Sequence, residues 1–305
     1  MKFNYIILSV FLVTNFGCDD KKTTPDKKNS PETGKPNTSD LAQLTYGSYK
    51  KLLASGKFRE VITEFEKDSK KPNYNPMLHY YAGVAWFNLS EKEKAKGEFE
   101  TAIKKGLSFP DLYVNYSEVL FFMKKFDECK NVLISAMKKF PKEAGLWYNM
   151  GGILFEEGKT DEGIKYYNDA LLRNPNYAPA LKSLGGYYLR KTPAKALPYF
   201  EKLSGMKGFQ GEASINMAYI YIRESNWEKA KIFVDKAEKY NASSEMVTRF
   251  RKVLKILPSI STIRSLIKEK KCKAAKVELD KLIKENGKSA LVKNETENYK
   301  KSCKK

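Results

Sequence analysis

Trp147 to Pro175 reads WYNMGGILFEEGKTDEGIKYYNDALLRNP, and the spacing inside it decides the fold. Two glycines, Gly151 and Gly163, stand where a pair of helices would approach closely. Leu154, Tyr167 and Ala170 follow at helical spacing, and Gly158-Lys159-Thr160 supplies a turn between them. The pattern recurs at a fixed period, which is the mark of a repeat architecture. One period of 34 residues upstream stand Ser117, Leu120, Cys129, Leu133 and Ala136; two periods upstream stand Gly83, Trp86, Ala95, Phe99 and Ala102. Units start at Ala42, Pro76, Pro110, Ala144 and Ala178. A sixth starts at Gly211, one residue early, because the turn Lys191-Thr192-Pro193 is one residue short.

Within each unit the eighth and twentieth positions are small, since bulk there would hold the two helices apart. Tyr49 departs at the eighth position, and Asp68 and Leu203 depart at the twenty-seventh, which is otherwise mostly Ala. These residues resemble the tetratricopeptide repeat family over about 200 residues, from Ala42 to Ser244. The resemblance implies an all-α solenoid of six helical hairpins, each burying its apolar face on its neighbours in a right-handed superhelix. Beyond Ser244 the rhythm decays. Met246 to Leu257 reads as a helix ended by Pro258. Ser261–Lys270 and Cys272–Glu285 read as a degenerate hairpin, with Ala275 and Leu279 in the small and large places, and Ala290–Lys301 reads as a polar capping helix.

The N-terminus reads as an export signal over residues 1–17. Lys2 precedes the short apolar run Ile6 to Val13, which is shorter than the ~20 residues a membrane span needs. Gly17-Cys18 resembles the lipobox of bacterial lipoproteins, and the resemblance implies lipidation of Cys18; Asn15 and Phe16 depart from the strict motif. Residues 18–41 form a linker. Asp19 to Asp40 carries three prolines, five lysines and five acids and no large apolar residue, so no core is expected there. Such a stretch spans roughly 25 Å as a random coil. The repeats then occupy 42–244 and a basic helical cap 245–305.

The chain has 305 residues, 42% hydrophobic, and a formal charge of +20. From Glu245 onward 18 Lys or Arg face 7 acids, so more than half the excess lies in that cap. Anionic headgroups or cell-wall polymers are the alternative partners such a surface suits. Nucleic acid is not expected, because the lysines lack a regular aromatic interleave.

Chemistry-bearing motifs are scarce. His79 is the only histidine, so neither a His-dependent triad nor a His-rich metal site is expected. Gly158-Lys159-Thr160 and Gly287-Lys288-Ser289 imitate the end of a phosphate-binding loop. Ile153 and Leu282 occupy the glycine position that such a loop requires. No enzyme activity, cofactor, metal or small-molecule substrate is expected.

In this family the first helix of each unit lines the concave face. Carried over by position, the first four units present Tyr80, Phe87, Phe121, Phe122, Tyr148 and Phe155 as anchors for a protein or peptide. Asn115 and Asn149 would orient a bound backbone. The two-carboxylate clamp of some relatives is absent, because Glu118 and Gly152 stand where it needs Asn. The expectation is a lipid-anchored, extracytoplasmic scaffold of the bacterial envelope, with Cys129 an inert packing thiol. Cys272 and Cys303 are a candidate disulfide, because their midpoint falls inside the turn Asn286–Ser289 of an antiparallel pair.

Overall fold

The computed structural model describes residues 47–287 and 289–303; the proposed signal, Cys18 and the linker lie outside them. The described residues are helical, with no strand among them. Helix α1 covers residues 47–54. There follow α2 (Phe58–Asp68), α3 (Met77–Asn88), α4 (Lys92–Lys104), α5 (Pro110–Phe122), α6 (Phe126–Lys139), α7 (Ala144–Glu156) and α8 (Thr160–Arg173). Then come α9 (Ala178–Lys191), α10 (Pro193–Ser204), α11 (Gln210–Arg223), α12 (Trp227–Lys239), α13 (Ser244–Lys268), α14 (Cys272–Asn286) and α15 (Ala290–Cys303). Contacts group the chain into two compact units that divide within α8, between Tyr166 and Tyr167.

Helix boundaries follow from the turn between the two helices of each unit. Its fifteenth residue takes positive φ in five units: Gly56 at 70°, Ser90 at 65°, Lys124 at 59°, Gly158 at 79° and Ser225 at 57°. The next amide then bonds back to the last turn, as Lys159 N to Leu154 O at 2.8 Å and Lys125 N to Leu120 O at 3.0 Å. This closes the orphan carbonyls of the helix end. The fifth unit, one residue short, has no such residue, and α10 begins directly at Pro193. The same turn reappears at Lys270, with φ 60° and Lys271 N bonded to Leu266 O at 2.8 Å. The end of α13 and α14 therefore keep the repeat's turn after its other signals have faded.

The small positions have the expected cause. A Cβ on Gly83 would stand 2.6 Å from the Phe99 ring. A Cβ on Gly163 would stand 2.3 Å from the Phe155 ring and 3.0 Å from the Gly151 carbonyl oxygen. Gly163→Ala is expected to cost about 2 kcal/mol in a denaturant melt, since the α7 backbone limits how far the crowded pair separates. The two departures in the first unit compensate one another. Tyr49, 1% exposed, donates its hydroxyl to Asp68 Oδ2 at 3.1 Å, and Lys71 pairs with the other oxygen at 2.6 Å.

The C-terminal region corrects one expectation. Pro258 does not end a helix; α13 runs through it. A proline inside a helix forfeits one hydrogen bond and crowds the preceding turn, costing about 3 kcal/mol. Burial on both sides of Pro258 opposes that cost. Val247 and Phe250 pack with Ala218, Val234 and Ala237 of α11 and α12. Ile256, Ile260 and Ile263 pack with Ala275, Leu279 and Leu282 of α14 and Val292 and Tyr299 of α15. A break at Pro258 would separate two halves that are each held by a different apolar cluster.

Helix α15 carries an acid into this last core. Glu295 is 1% exposed, and its Oε2 accepts from Arg264 Nε at 2.8 Å and Nη2 at 2.7 Å; its Oε1 accepts from Asn298 at 2.8 Å. Arg264→Ala is expected to cost about 2 kcal/mol in a guanidinium melt, because it strands a buried carboxylate. Solvent at the exposed guanidinium holds the loss below that of a fully buried pair.

Candidate functional site

The first helices of the second, third and fourth units are α3, α5 and α7, and they carry the eight nominated groove residues. Their register is fixed by side-chain amides one period apart. Asn115 Nδ2 donates to Tyr80 Oη at 3.0 Å, and Asn149 Nδ2 donates to Val114 O at 3.1 Å and Ser117 Oγ at 2.8 Å. These bonds give the two asparagines a part in the fold. Both donors of Asn149 and one of Asn115 serve the fold, so they order neighbouring units.

One of the anchors is buried away from the face. Tyr80 is buried at 6% exposure, edge-on to Phe109 at 4.9 Å between ring centroids, with its hydroxyl held by Asn115. Burial raises its pKa above the usual phenol value. Phe155, partly buried like Phe87 and Phe121, also packs against Gly163 of its own hairpin. The consensus position predicts which helix a residue rides on, but not how far its ring turns inward. Tyr148 is partly buried on α7.

Phe87, Phe121 and Phe122 do come together. The Phe87 and Phe122 rings lie 5.7 Å apart, Phe121 stands at 90° to Phe122 at 5.7 Å, and Phe126 continues the row 5.8 Å from Phe121. Phe122 is 36% exposed, and Phe87 and Phe121 are partly buried. Phe126 is an addition that the repeat pattern does not signal; it begins α6, which the pattern assigns to the other face.

Glu118 stands one turn before this row, three residues from Phe121 and four from Phe122, and so on the same side of α5. It is partly buried, and burial pushes its carboxyl up to about 7. Asp111, two turns earlier, is also raised by burial. So is Glu143 at the start of α7, although it accepts a bond from Gly145 N and feels Asp111 as a like charge.

Other nominated or excluded residues have plain places. His79 is buried, with Nδ1 2.6 Å from Glu98 Oε2 and Nε2 2.8 Å from the Tyr74 hydroxyl. Cys129 is fully buried, its thiol directed at Ser117 O at 3.0 Å, and burial followed by the Glu128 charge pushes it up to about 12. A disulfide joins Cys272 and Cys303, with Cα atoms 5.6 Å apart. Among the described residues no group of three His, Cys, Asp or Glu is placed to hold a metal, and no helix is long and apolar enough to cross a membrane. An open cleft of about 510 Å³ between α13 and the start of α15 is lined by Arg249, Lys252, Thr248, Ser289 and Leu291, among others.

The helical hairpins, their period and their left-handed turns define the class: an all-α repeat solenoid. The tetratricopeptide repeat profile matches the unit at residues 144–177. Two solved structures, PilW and Cut9–Hcn1, share the fold. PilW, described as a widely conserved type IV pilus biogenesis factor, is 17% identical, with 70% of this chain and 99% of that one covered and a TM-score of 0.56. The Cut9–Hcn1 hetero-tetramer of the APC/C is 11% identical over 82% of this chain and 48% of that one, with a TM-score of 0.51. MamA from Desulfovibrio magneticus RS-1 is 21% identical over 53% of this chain and 93% of that one, with a TM-score of 0.44. No curated protein matches the sequence. Solenoids of this kind offer extended surfaces to other proteins.

Proposed function

We propose that the protein is a non-catalytic scaffold of the bacterial cell envelope, anchored through lipid on Cys18, that holds a protein partner on the α3–α5–α7 face. The observation that carries the reading is the row Phe87, Phe122, Phe121 with Phe122 open to solvent, since interface energy concentrates in a few aromatic anchors. The short apolar run before Gly17-Cys18 supports the anchor. The disulfide fits a compartment outside the cytoplasm, where such bonds persist.

Two measurements test the two halves. Mass spectrometry of the mature protein is expected to find Cys18 as an acylated N-terminus; a mature chain beginning elsewhere refutes the anchor. Crosslinking in intact envelopes, followed by pull-down, is expected to lose its partner in Phe87→Ala and Phe122→Ala variants with unchanged circular dichroism. Loss of one true anchor corresponds to about 2 kcal/mol, roughly thirtyfold in affinity.

A second reading makes the protein an anionic-polymer binder through the cleft that Arg249 and Lys252 line. It gains ground if Arg249→Ala and Lys252→Ala together abolish partner capture while the phenylalanine variants retain it.

A further inference from the structure

We propose that Glu118 selects a basic residue, so that the occupant of the α3–α5–α7 face is a protein segment carrying a Lys or Arg between apolar side chains. The inference rests on that face being the partner site.

Charge distribution carries it. The chain has 56 Lys and Arg, yet none stands on α3, α5 or α7. The intervening helices hold the lysines instead, with Lys92, Lys94, Lys96 and Lys104 on α4 and more on α6. The three first helices carry only acids and one histidine. Asp111 and Glu118 lie on α5, Glu156 at the end of α7, and His79 on α3 is engaged with Glu98 and Tyr74. A strongly basic protein thus keeps three successive first helices free of Lys and Arg. Such a face attracts a basic segment and repels an acidic one.

Position sharpens the inference from a face to one carboxylate. Glu118 occupies the ninth place of its unit, where the neighbours on either side are Val84 and Gly152. The amide bonds from Asn115 to Tyr80 and from Asn149 to Val114 set these units in register, so Glu118 has an apolar neighbour on α3 and a missing side chain on α7. No ion pair or hydrogen bond reaches its carboxylate among the described residues, and no charge shifts its titration; burial alone does. None of the bonds made by lysines on the elements packed on α5 reaches Glu118. Lys96 of α4 pairs with Glu100 and Glu128, Lys92 points to the Phe122 carbonyl at 3.4 Å, and Lys130 of α6 pairs with Glu157. The titratable residues of α3 and α7 are His79, Tyr80, Tyr81, Tyr148 and Glu156; of these only His79 can become a cation, and it is engaged with Glu98 and Tyr74. A carboxylate beside Phe121 and Phe122 with no internal cation is suited to one that arrives with apolar neighbours of its own.

A random twelve-residue peptide library displayed on phage and panned on the full chain at pH 8 tests this. Wild type is expected to recover peptides with Lys or Arg beside aliphatic or aromatic residues, and Glu118→Gln to recover apolar peptides without that basic residue. A wild-type-selected peptide should bind Glu118→Gln about tenfold more weakly at pH 8. Its affinity for wild type should fall about tenfold from pH 8 to pH 5.5, as the carboxylate takes up its proton, and stay level for the Gln variant. Recovery without basic enrichment, or equal affinity for wild type and Glu118→Gln, overturns the role of Glu118. If such peptides nevertheless bind Phe122→Ala more weakly, the face itself survives as the partner site. Peptides indifferent to both substitutions, or no recovered binder, overturn both readings.

Discussion

Reducing the Cys272–Cys303 bond is expected to destabilise the C-terminal helices by roughly 3–4 kcal/mol. The bond joins residues 31 apart in sequence, and closing a loop of that size removes about that much chain entropy from the unfolded state. The effect should be visible because α15 has few other anchors. It buries only Val292, Glu295 and Tyr299 along its length. The bond ties the last residue of α15 to the first of α14, where Tyr299 also donates its hydroxyl to Cys272 O at 3.2 Å. A guanidinium melt followed by circular dichroism, with and without a phosphine reductant, measures the difference. Cys272→Ser/Cys303→Ser should show the lower stability in both conditions, whereas Cys129→Ser should keep its response to reductant. Equal midpoints for reduced and oxidised wild type would show that the bond stabilises nothing.

Much of this fold was legible in the sequence because its determinants are local and periodic. Gly83, Gly151, Gly163 and Gly185 report a close approach of two helices that holds whatever the partner chain, and Gly158 reports a left-handed turn. Lys124, Ser90 and Ser225 occupy that same turn without glycine, so there the period carried the information and the residue type did not. Pro258 misled, since local chemistry says stop and only the burial of Ile260 and Ile263 beyond it says continue. The site was less legible. Whether Tyr80 faces solvent depends on Phe109 and Asn115, which lie 29 and 35 residues away, and the pattern gives Phe109 no role at all. In the sequence Glu118 reads as the residue that stands where a two-carboxylate clamp needs Asn. The signal that would have singled it out is the absence of Lys and Arg from three successive first helices, a property of the set that no single unit displays.

Glu118→Gln is expected to raise stability by about 3 kcal/mol at pH 8 and by almost nothing at pH 4.5. Folding lifts this carboxyl from an ordinary 4.5 to about 7. The folded state therefore binds the proton more tightly than the unfolded state, and its ionised form is the disfavoured one. Below about pH 4.5 the group is protonated in both states and contributes nothing. As pH rises towards 7 the unfolded chain has lost its proton while the folded chain still holds it, and stability falls. Above 7 the full penalty stands, at about 1.4 kcal/mol for each tenfold difference in proton affinity, less what solvent at the partly buried residue recovers. A glutamine never ionises and so escapes the penalty. Thermal melts of both proteins at pH 4.5, 6 and 8 should diverge progressively with pH; curves separated equally at all three would mean that the carboxylate's charge is not the cause. The sign matters for function as well as for folding. A residue that lowers stability at neutral pH, on a helix face otherwise free of ionic partners, stands where activity and stability trade against each other. A basic ligand that seats on Glu118 would favour its ionised form and return the lost stability, so the melting gain of wild type on adding a lysine-bearing peptide at pH 8 should exceed that of Glu118→Gln.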